Sequence, residues 1–233
     1  MDAAHHVSLN RRLFQKLCLT VPAPIALGVF GGRSGFDAAA AMLQSDSDAT
    51  PDTRREAILP PSPSCDDDDA AVTDEQTAGP FFTPDSPERT SLLEPGIPGT
   101  PMVLAGLVLS TRCEPVANAL LDFWHADGEG VYDNEGYSLR GHQFTDDTGM
   151  FYLESVVPGL YPGRTRHFHV NVQAADGPVL TTQLYFPNEP GNEDDGIYSA
   201  DLMVEPDGDA ADQDPKDYEE GTVAFFNFVL DLG

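Results

Sequence analysis

Lysine is nearly missing from this chain: Lys16 and Lys216 are the only two among 233 residues. In all, 12 basic residues face 39 acidic ones, a net charge of −27. A field of that sign repels nucleic acid phosphates and anionic lipid headgroups alike, which excludes nucleic acid as a partner. The acids are spread from Asp46 to Asp231 instead of forming one tail. That is the composition of a protein adapted to high salt, where a Debye length of about 3 Å at 1 M screens the self-repulsion. An ordinary acidic protein is the plainer alternative.

Long apolar runs are also absent. The longest, Leu17 to Phe30, is broken by Pro22, Pro24 and Gly28 and falls short of the roughly 20 residues of a membrane span. It follows the paired-arginine stretch Asn10-Arg11-Arg12-Leu13-Phe14-Gln15-Lys16 and precedes the small residues Ala38 to Ala41. Residues 1–41 therefore resemble a twin-arginine export signal. They predict an exported, extracytoplasmic or secreted protein without stable membrane insertion once the signal is removed. Cysteine is scarce too. Cys18 lies inside the signal, and Cys65 and Cys113 remain. In an oxidising compartment these two can close a loop of about fifty residues, worth roughly 4 kcal/mol by chain entropy; two free thiols are the alternative.

A sustained 3.6-residue hydrophobic period is missing as well, which argues against a helical domain. Residues 42–64 are rich in Asp, Pro and Ser and read as an acidic linker in a disordered N-terminal region. Asp66 to Asp69 lack the glycine turn and spaced oxygens of a calcium loop. Short apolar or alternating runs then recur at Met102–Ser110, Ala119–Ala126, Met150–Ser155, His167–Ala174, Val179–Phe186 and Val223–Leu230, punctuated by Gly, Pro, Asn and Asp. This spacing predicts an all-β fold, an antiparallel β-sandwich with long loops, over residues 65–233. Residues 188–220 read as an acidic surface loop over one edge.

The densest chemistry lies between Pro158 and His169. In a strand, His167 and His169 share one face while Phe168, Val170 and Val172 share the other. Tyr161 and Arg164 sit close by, and Tyr132 follows the glycine-rich turn Asp127-Gly128-Glu129-Gly130. A His-x-His pair alone is more often ordinary packing than a metal site. Two imidazoles with two phenols make a hard, anionic donor set that suits a trivalent metal better than zinc. A cupin-type site is set aside, because Asn171 to Ala174 supplies no glutamate after the histidines.

Taken with Thr77-Ala78-Gly79-Pro80-Phe81-Phe82, Trp124-His125-Ala126-Asp127, Gly130-Val131-Tyr132, Arg140-Gly141, Thr145-Asp146 and Thr182-Gln183-Leu184-Tyr185-Phe186, the chain resembles the intradiol ring-cleavage dioxygenases. These are the catechol, protocatechuate and hydroxyquinol enzymes. The short gap from Tyr161 to His167 and the cysteine pair resemble the secreted branch.

The resemblance implies non-haem Fe(III) bound by Tyr132, Tyr161, His167 and His169. It implies Tyr161 as the ligand that leaves when substrate binds, Arg164 stabilising charge on the substrate ring, and Gln183 lining the same pocket. The implied reaction takes a catechol-type diol and O2 to a cis,cis-muconate type dicarboxylate, in a chain that leaves room for oligomers. Phe82 departs from the tyrosine often found there in relatives, which removes a hydroxyl from the pocket. The alternative is a non-catalytic exported sandwich module descended from such an enzyme. His125 and His142 match no ligand position and read as structural or solvent-facing.

Overall fold

The computed structural model describes residues 70–233. The export signal, the linker and Cys65 fall outside the described residues. Nine strands run in chain order: β1 Pro101–Ser110, β2 Leu120–Trp124, β3 Arg140–Phe144, β4 Met150–Val156, β5 His167–Gln173, β6 Val179–Tyr185, β7 Glu205–Pro206, β8 Thr222–Phe225 and β9 Phe228–Leu230. They form two sheets. One has the order β3-β2-β5-β6, and the other β4-β1-β8-β7 with β9 also paired to β1. No described helix is long and apolar enough to cross a membrane.

Period-two alternation builds the interior. Leu121 and Phe123 of β2, Phe168, Val170 and Val172 of β5, and Phe151 and Leu153 of β4 are all fully buried in one apolar cluster. Phe151 bridges the sheets, with its ring centroid 5.9 Å from Phe123 and 5.6 Å from Phe228. Removing such a side chain costs about 3–5 kcal/mol through lost transfer energy and the cavity left behind.

The four-stranded sheet is antiparallel throughout. The other is mixed, because β8 and β9 run parallel to β1. A parallel neighbour needs a long connection, and all of residues 111–221, including β2 to β7, lie between β1 and β8. Residues 223–230, which read as one strand, are interrupted at Phe226 and Asn227. There Asn227 Oδ1 accepts the Leu107 amide at 2.9 Å, and the Phe226 amide donates to the Ala105 carbonyl at 3.0 Å. Gly106 makes the interruption fit, since a Cβ at this position would lie 1.8 Å from the Phe226 carbonyl oxygen. β3 was not foreseen. Arg140-Gly141-His142-Gln143-Phe144 has no apolar alternation and is a strand because β2 pairs with it residue for residue.

The excursion at residues 188–220 is more than a surface loop. It contributes β7 and short 3-10 turns, and it buries Glu189, Asn192, Asp195, Leu202, Val204 and Tyr218.

Gly106→Ala is expected to destabilise the domain by about 2 kcal/mol or more, since the clash is with backbone and cannot relax by a rotamer change. Denaturant unfolding in molar salt measures it, and a midpoint equal to the parent's would contradict this account of the interruption.

Candidate metal centre

The register of the four-stranded sheet lays out the base of the site. Arg140 on β3 pairs with Trp124 on β2, Trp124 with His169 on β5, and His169 with Gln183 on β6. These four residues form one row across the sheet, on the face opposite the core. His167 pairs with Tyr185 in the neighbouring row on the same face. A strand places its residues i and i+2 on one side, so both imidazoles emerge together. Their Nε2 atoms are 3.1 Å apart.

Each ring is oriented differently. His167 Nδ1 donates to the Thr165 carbonyl at 2.6 Å, which leaves Nε2 as the bare nitrogen. His169 stacks on Trp124, with centroids 5.0 Å apart and planes 3° from parallel. Neither His169 Nδ1 nor Trp124 Nε1 has a hydrogen bond among the described residues. Burial pushes the His167 pKa down to about 4, helped by the Arg164 charge, and holds that of His169 well below its ordinary value, helped by the charges of His167 and Arg164. Both imidazoles are therefore neutral, the form that ligates a metal.

The tyrosines come from loops. After β2, Asp127 Oδ1 accepts the Glu129 and Val131 amides at 2.9 Å each, a tight turn that projects Tyr132 inward. After β4, Tyr161-Pro162-Gly163-Arg164 is a type II turn. Proline presets its second position, Gly163 sits at φ +80°, and the Arg164 amide donates to the Tyr161 carbonyl at 2.9 Å. The Gly159 amide donates to the Asp127 carbonyl at 2.7 Å, joining the two loops. Phe81 packs between the phenols, stacked on Tyr132 at 4.5 Å and edge-on to Tyr161 at 5.4 Å. Arg140, almost fully buried, binds the Phe81 carbonyl at 2.6 Å and the Asp133 carbonyl at 2.7 and 3.0 Å. It clamps both flanks of Tyr132. In the sequence the clamp is marked only by the Arg140-Gly141 pair, which shows nothing of its burial.

Tyr161, Tyr132, His169 and His167 thus form a continuous chain of rings, with centroid separations of 6.1, 6.4 and 4.7 Å. The donor set fits a shared ion in two respects. Ligands about 2.1 Å from one ion at right angles lie about 3 Å apart, which is the spacing of the imidazole nitrogens. Tyr132 is 8% exposed and no described residue bonds its hydroxyl, which leaves that oxygen available to a ligand. Burial raises the Tyr132 pKa against the lowering charges of Arg164 and Arg140, so its phenolate needs a cation beside it.

Arg164 stands next to this group. Its Nε donates to Asp195 Oδ2 at 2.9 Å and its Nη2 donates to Gln183 Oε1. Gln183 is fully buried, donates to the Thr77 carbonyl at 2.8 Å and accepts from Tyr185 at 3.3 Å. Its amide is committed on both ends, and its contact to the site runs through Arg164. Arg166 pairs with Glu189 at 2.6 Å. A cavity of about 420 Å³ opens beside Tyr161, Arg164 and Asp195. A larger cleft of about 720 Å³, near Thr73, Met203 and Phe225, touches none of these groups.

His125 and His142 stay out of the site. His125 donates from Nδ1 to the Ala126 carbonyl at 2.7 Å and accepts the Ser155 hydroxyl at 2.6 Å. His142 bonds Ser86 at 3.1 Å. Cys113 is disulfide-bonded and is the only described cysteine; the pairing with Cys65 lies outside the described residues.

The dioxygenase family model matches residues 78–232. Among solved structures, the dioxygenase domain of a dioxygenase and carbohydrate-binding protein fusion from the cellulolytic bacterium Streptomyces sp. SirexAA-E is 47% identical. It covers 70% of this chain and 100% of its own, with a TM-score of 0.64. Hydroxyquinol 1,2-dioxygenase of Rhizobium sp. (strain MTP-10005) is 26% identical over 156 residues, 55% of this chain and 52% of that enzyme. Catechol 1,2-dioxygenase of Candida albicans is 29% identical over 156 residues, 54% of this chain and 52% of that enzyme. The chain spans about half the length of these curated relatives.

Two measurements follow from the geometry. Ferric ion titrated into the protein in molar salt is expected to bind at about one per chain, and Tyr132→Phe or His169→Ala to bind at least 10-fold more weakly. Full iron retention by His169→Ala would contradict the ligand set. The second concerns His125, whose pKa burial lowers to about 3. Between that value and the unfolded value near 6.5 the unfolded chain binds the extra proton, so stability falls as pH drops through this window, by about 1 kcal/mol per unit. His167 and His169, lowered in the same way, add to the slope, so denaturant unfolding at pH 7.5, 6 and 5 is expected to show the sum, and His125→Gln to reduce it by one proton's share, about 1 kcal/mol per unit.

Proposed function

The chain belongs to the intradiol ring-cleavage dioxygenases, and from that membership we propose that it uses non-haem Fe(III) and O2 to cleave a catechol-type aromatic diol to a cis,cis-muconate type dicarboxylate. The observation that carries this reading is the convergence of Tyr132, Tyr161, His167 and His169 in one chain of rings with Arg164 beside them. Held by those four side chains, ferric iron would supply a Lewis acid that draws the deprotonated diol and O2 into reach of each other.

The protein's own groups do the rest. The diol must lose two protons on binding; Tyr161, as the phenolate it would be when holding the ion, is suited to accept one at Oη, and hydroxide at the site would take the other as water. Tyr161 is only partly buried and rides on an exposed Pro-Gly turn, whereas Tyr132 is buried and clamped. Arg164 has five N–H donors, and one at Nε and one at Nη2 are used by Asp195 and Gln183. The guanidinium also hydrogen-bonds Tyr185, and its donors not taken by these three partners can meet negative charge that builds on the ring during cleavage, as a preorganised electrostatic group. Phe81 stacks on Tyr132 and Phe82 packs edge-on to Trp124, which surrounds the phenols and imidazoles with apolar rings that limit water.

The setting is part of the proposal. A disulfide at Cys113 accords with an oxidising, extracytoplasmic location, and so does the twin-arginine-like stretch around Arg11 and Arg12. The composition suggests that the enzyme works in high salt.

Iron-loaded protein in molar salt is expected to be red-brown from tyrosinate-to-iron charge transfer, with the band shifting when catechol is added. It is expected to consume one O2 per catechol cleaved. Arg164→Ala should keep iron and colour while kcat drops at least 100-fold. A coloured, catechol-binding protein that never consumes oxygen with any of a panel of catechols would favour the non-catalytic module instead.

A further inference from the structure

Three consecutive residues of the site turn are held by three residues of the acidic excursion. Arg164 pairs with Asp195 at 2.9 Å, Thr165 Oγ1 donates to Asn192 Oδ1 at 2.7 Å, and Arg166 pairs with Glu189 at 2.6 Å. The partners are spaced by three because this segment winds with i to i+3 bonds. The Asn192 amide donates to Glu189 and the Asp195 amide to Asn192, at 3.1 and 3.4 Å. In 3-10 geometry residues i and i+3 eclipse, so one edge of the segment faces the turn.

We propose that Asp195 is a positioning residue for ring cleavage, its carboxylate fixing the Arg164 guanidinium against Gln183 in the orientation that meets charge on the substrate ring. The inference rests on the ring-cleavage reading. Three donors anchor the carboxylate itself. Oδ2 accepts Arg164 Nε and the Thr165 amide at 2.9 and 3.0 Å, and Oδ1 accepts the Ile197 amide at 3.1 Å. The Asp195 side chain is 2% exposed and that of Arg164 17%. An arginine held at one point keeps much of its rotamer freedom. Anchoring Nε through Asp195 and Nη2 through Gln183 sets the guanidinium plane and aims its remaining donors. Gln183 is in turn tied to the Thr77 carbonyl at 2.8 Å, so both anchors are themselves rigid. Glu189 differs in kind. Its partner Arg166 turns to the Pro158 carbonyl at 2.6 Å, so that ion pair fastens the loop without touching Arg164.

The test is a double-mutant cycle on iron-loaded full-length protein in molar salt, with Asp195→Asn, Arg164→Ala and their combination, and Glu189→Gln as the control for general loosening of the segment. Asp195→Asn is expected to keep iron content at a temperature where it stays folded, to lower the melting temperature, to lower kcat about 10-fold and to move KM less than about 3-fold. In the Arg164→Ala background the same change should cost less than about 2-fold. Glu189→Gln should stay within about 2-fold of the parent.

Equal losses with and without Arg164, or no loss at all, would overturn the proposal. Should Asp195→Asn fail to fold, Asp195→Glu carries the same comparison, since it keeps the charge but displaces it by a methylene.

A readout without turnover separates this inference from the reading it rests on. 4-Nitrocatechol, whose nitro group draws negative charge onto the ring, is titrated by its own absorbance. If the parent turns over no catechol, ring cleavage fails, while about 10-fold weaker 4-nitrocatechol binding by Asp195→Asn, only when Arg164 is present, still upholds the positioning role. Unchanged or Arg164-independent affinity rejects it.

Discussion

The register of β5 between β2 and β6 is the constraint on which the site depends. One face of β5 puts Phe168, Val170 and Val172 into the fully buried interior, and the other presents His167 and His169. A slip of one residue would drive two imidazoles into the apolar layer and expose three large side chains. Hydrophobic burial, at roughly 1.5–3 kcal/mol for each side chain, therefore fixes where the histidines point. The cross-strand row from Arg140 through Trp124 and His169 to Gln183 is a consequence of the same register. The core and the site are two faces of one set of strands.

Loops complete what the sheet begins, and buried polar groups hold them. Arg140 ties the backbone beside Tyr132 to that at Phe81 by three hydrogen bonds to carbonyls. Arg164 and Arg166 tie the turn after β4 to the excursion through Asp195 and Glu189. Cations are few in so acidic a chain, and these three sit at structural joints. Such buried or partly buried pairs are screened less by salt than exposed ones. Surface pairs such as Arg112 with Glu114, both about two-thirds exposed, contribute little.

Much of this was legible in the chain. Apolar alternation located β1, β2, β4, β5 and β6 to within a residue or two at most ends, because each buries apolar side chains on one face along most of its length. β3 escaped, since Arg140, Gly141 and Gln143 are buried without being apolar. The single run from Val223 to Leu230 hid a break that only the packing of Phe226 on Gly106 imposes. In the site, His167, His169, Tyr132, Tyr161 and Arg164 could be chosen by residue type and spacing with the family resemblance. Asp195 could not. It is one acid among many in an excursion of ordinary acidic composition, and nothing local distinguishes it from Asp194.

The sequence by itself determined the all-β class, the alternation that turns two histidines away from the core, and the set of hard donor groups, because strand periodicity and side-chain chemistry are local properties. The tertiary structure alone decided which side chains meet. It brought Asp195 to Arg164, set Gln183 between Arg164 and Thr77, and closed Arg140 over the Tyr132 loop. Those contacts join residues 7 to 106 apart in the chain. The longer ones form only once the two sheets have packed and the loops have somewhere to dock.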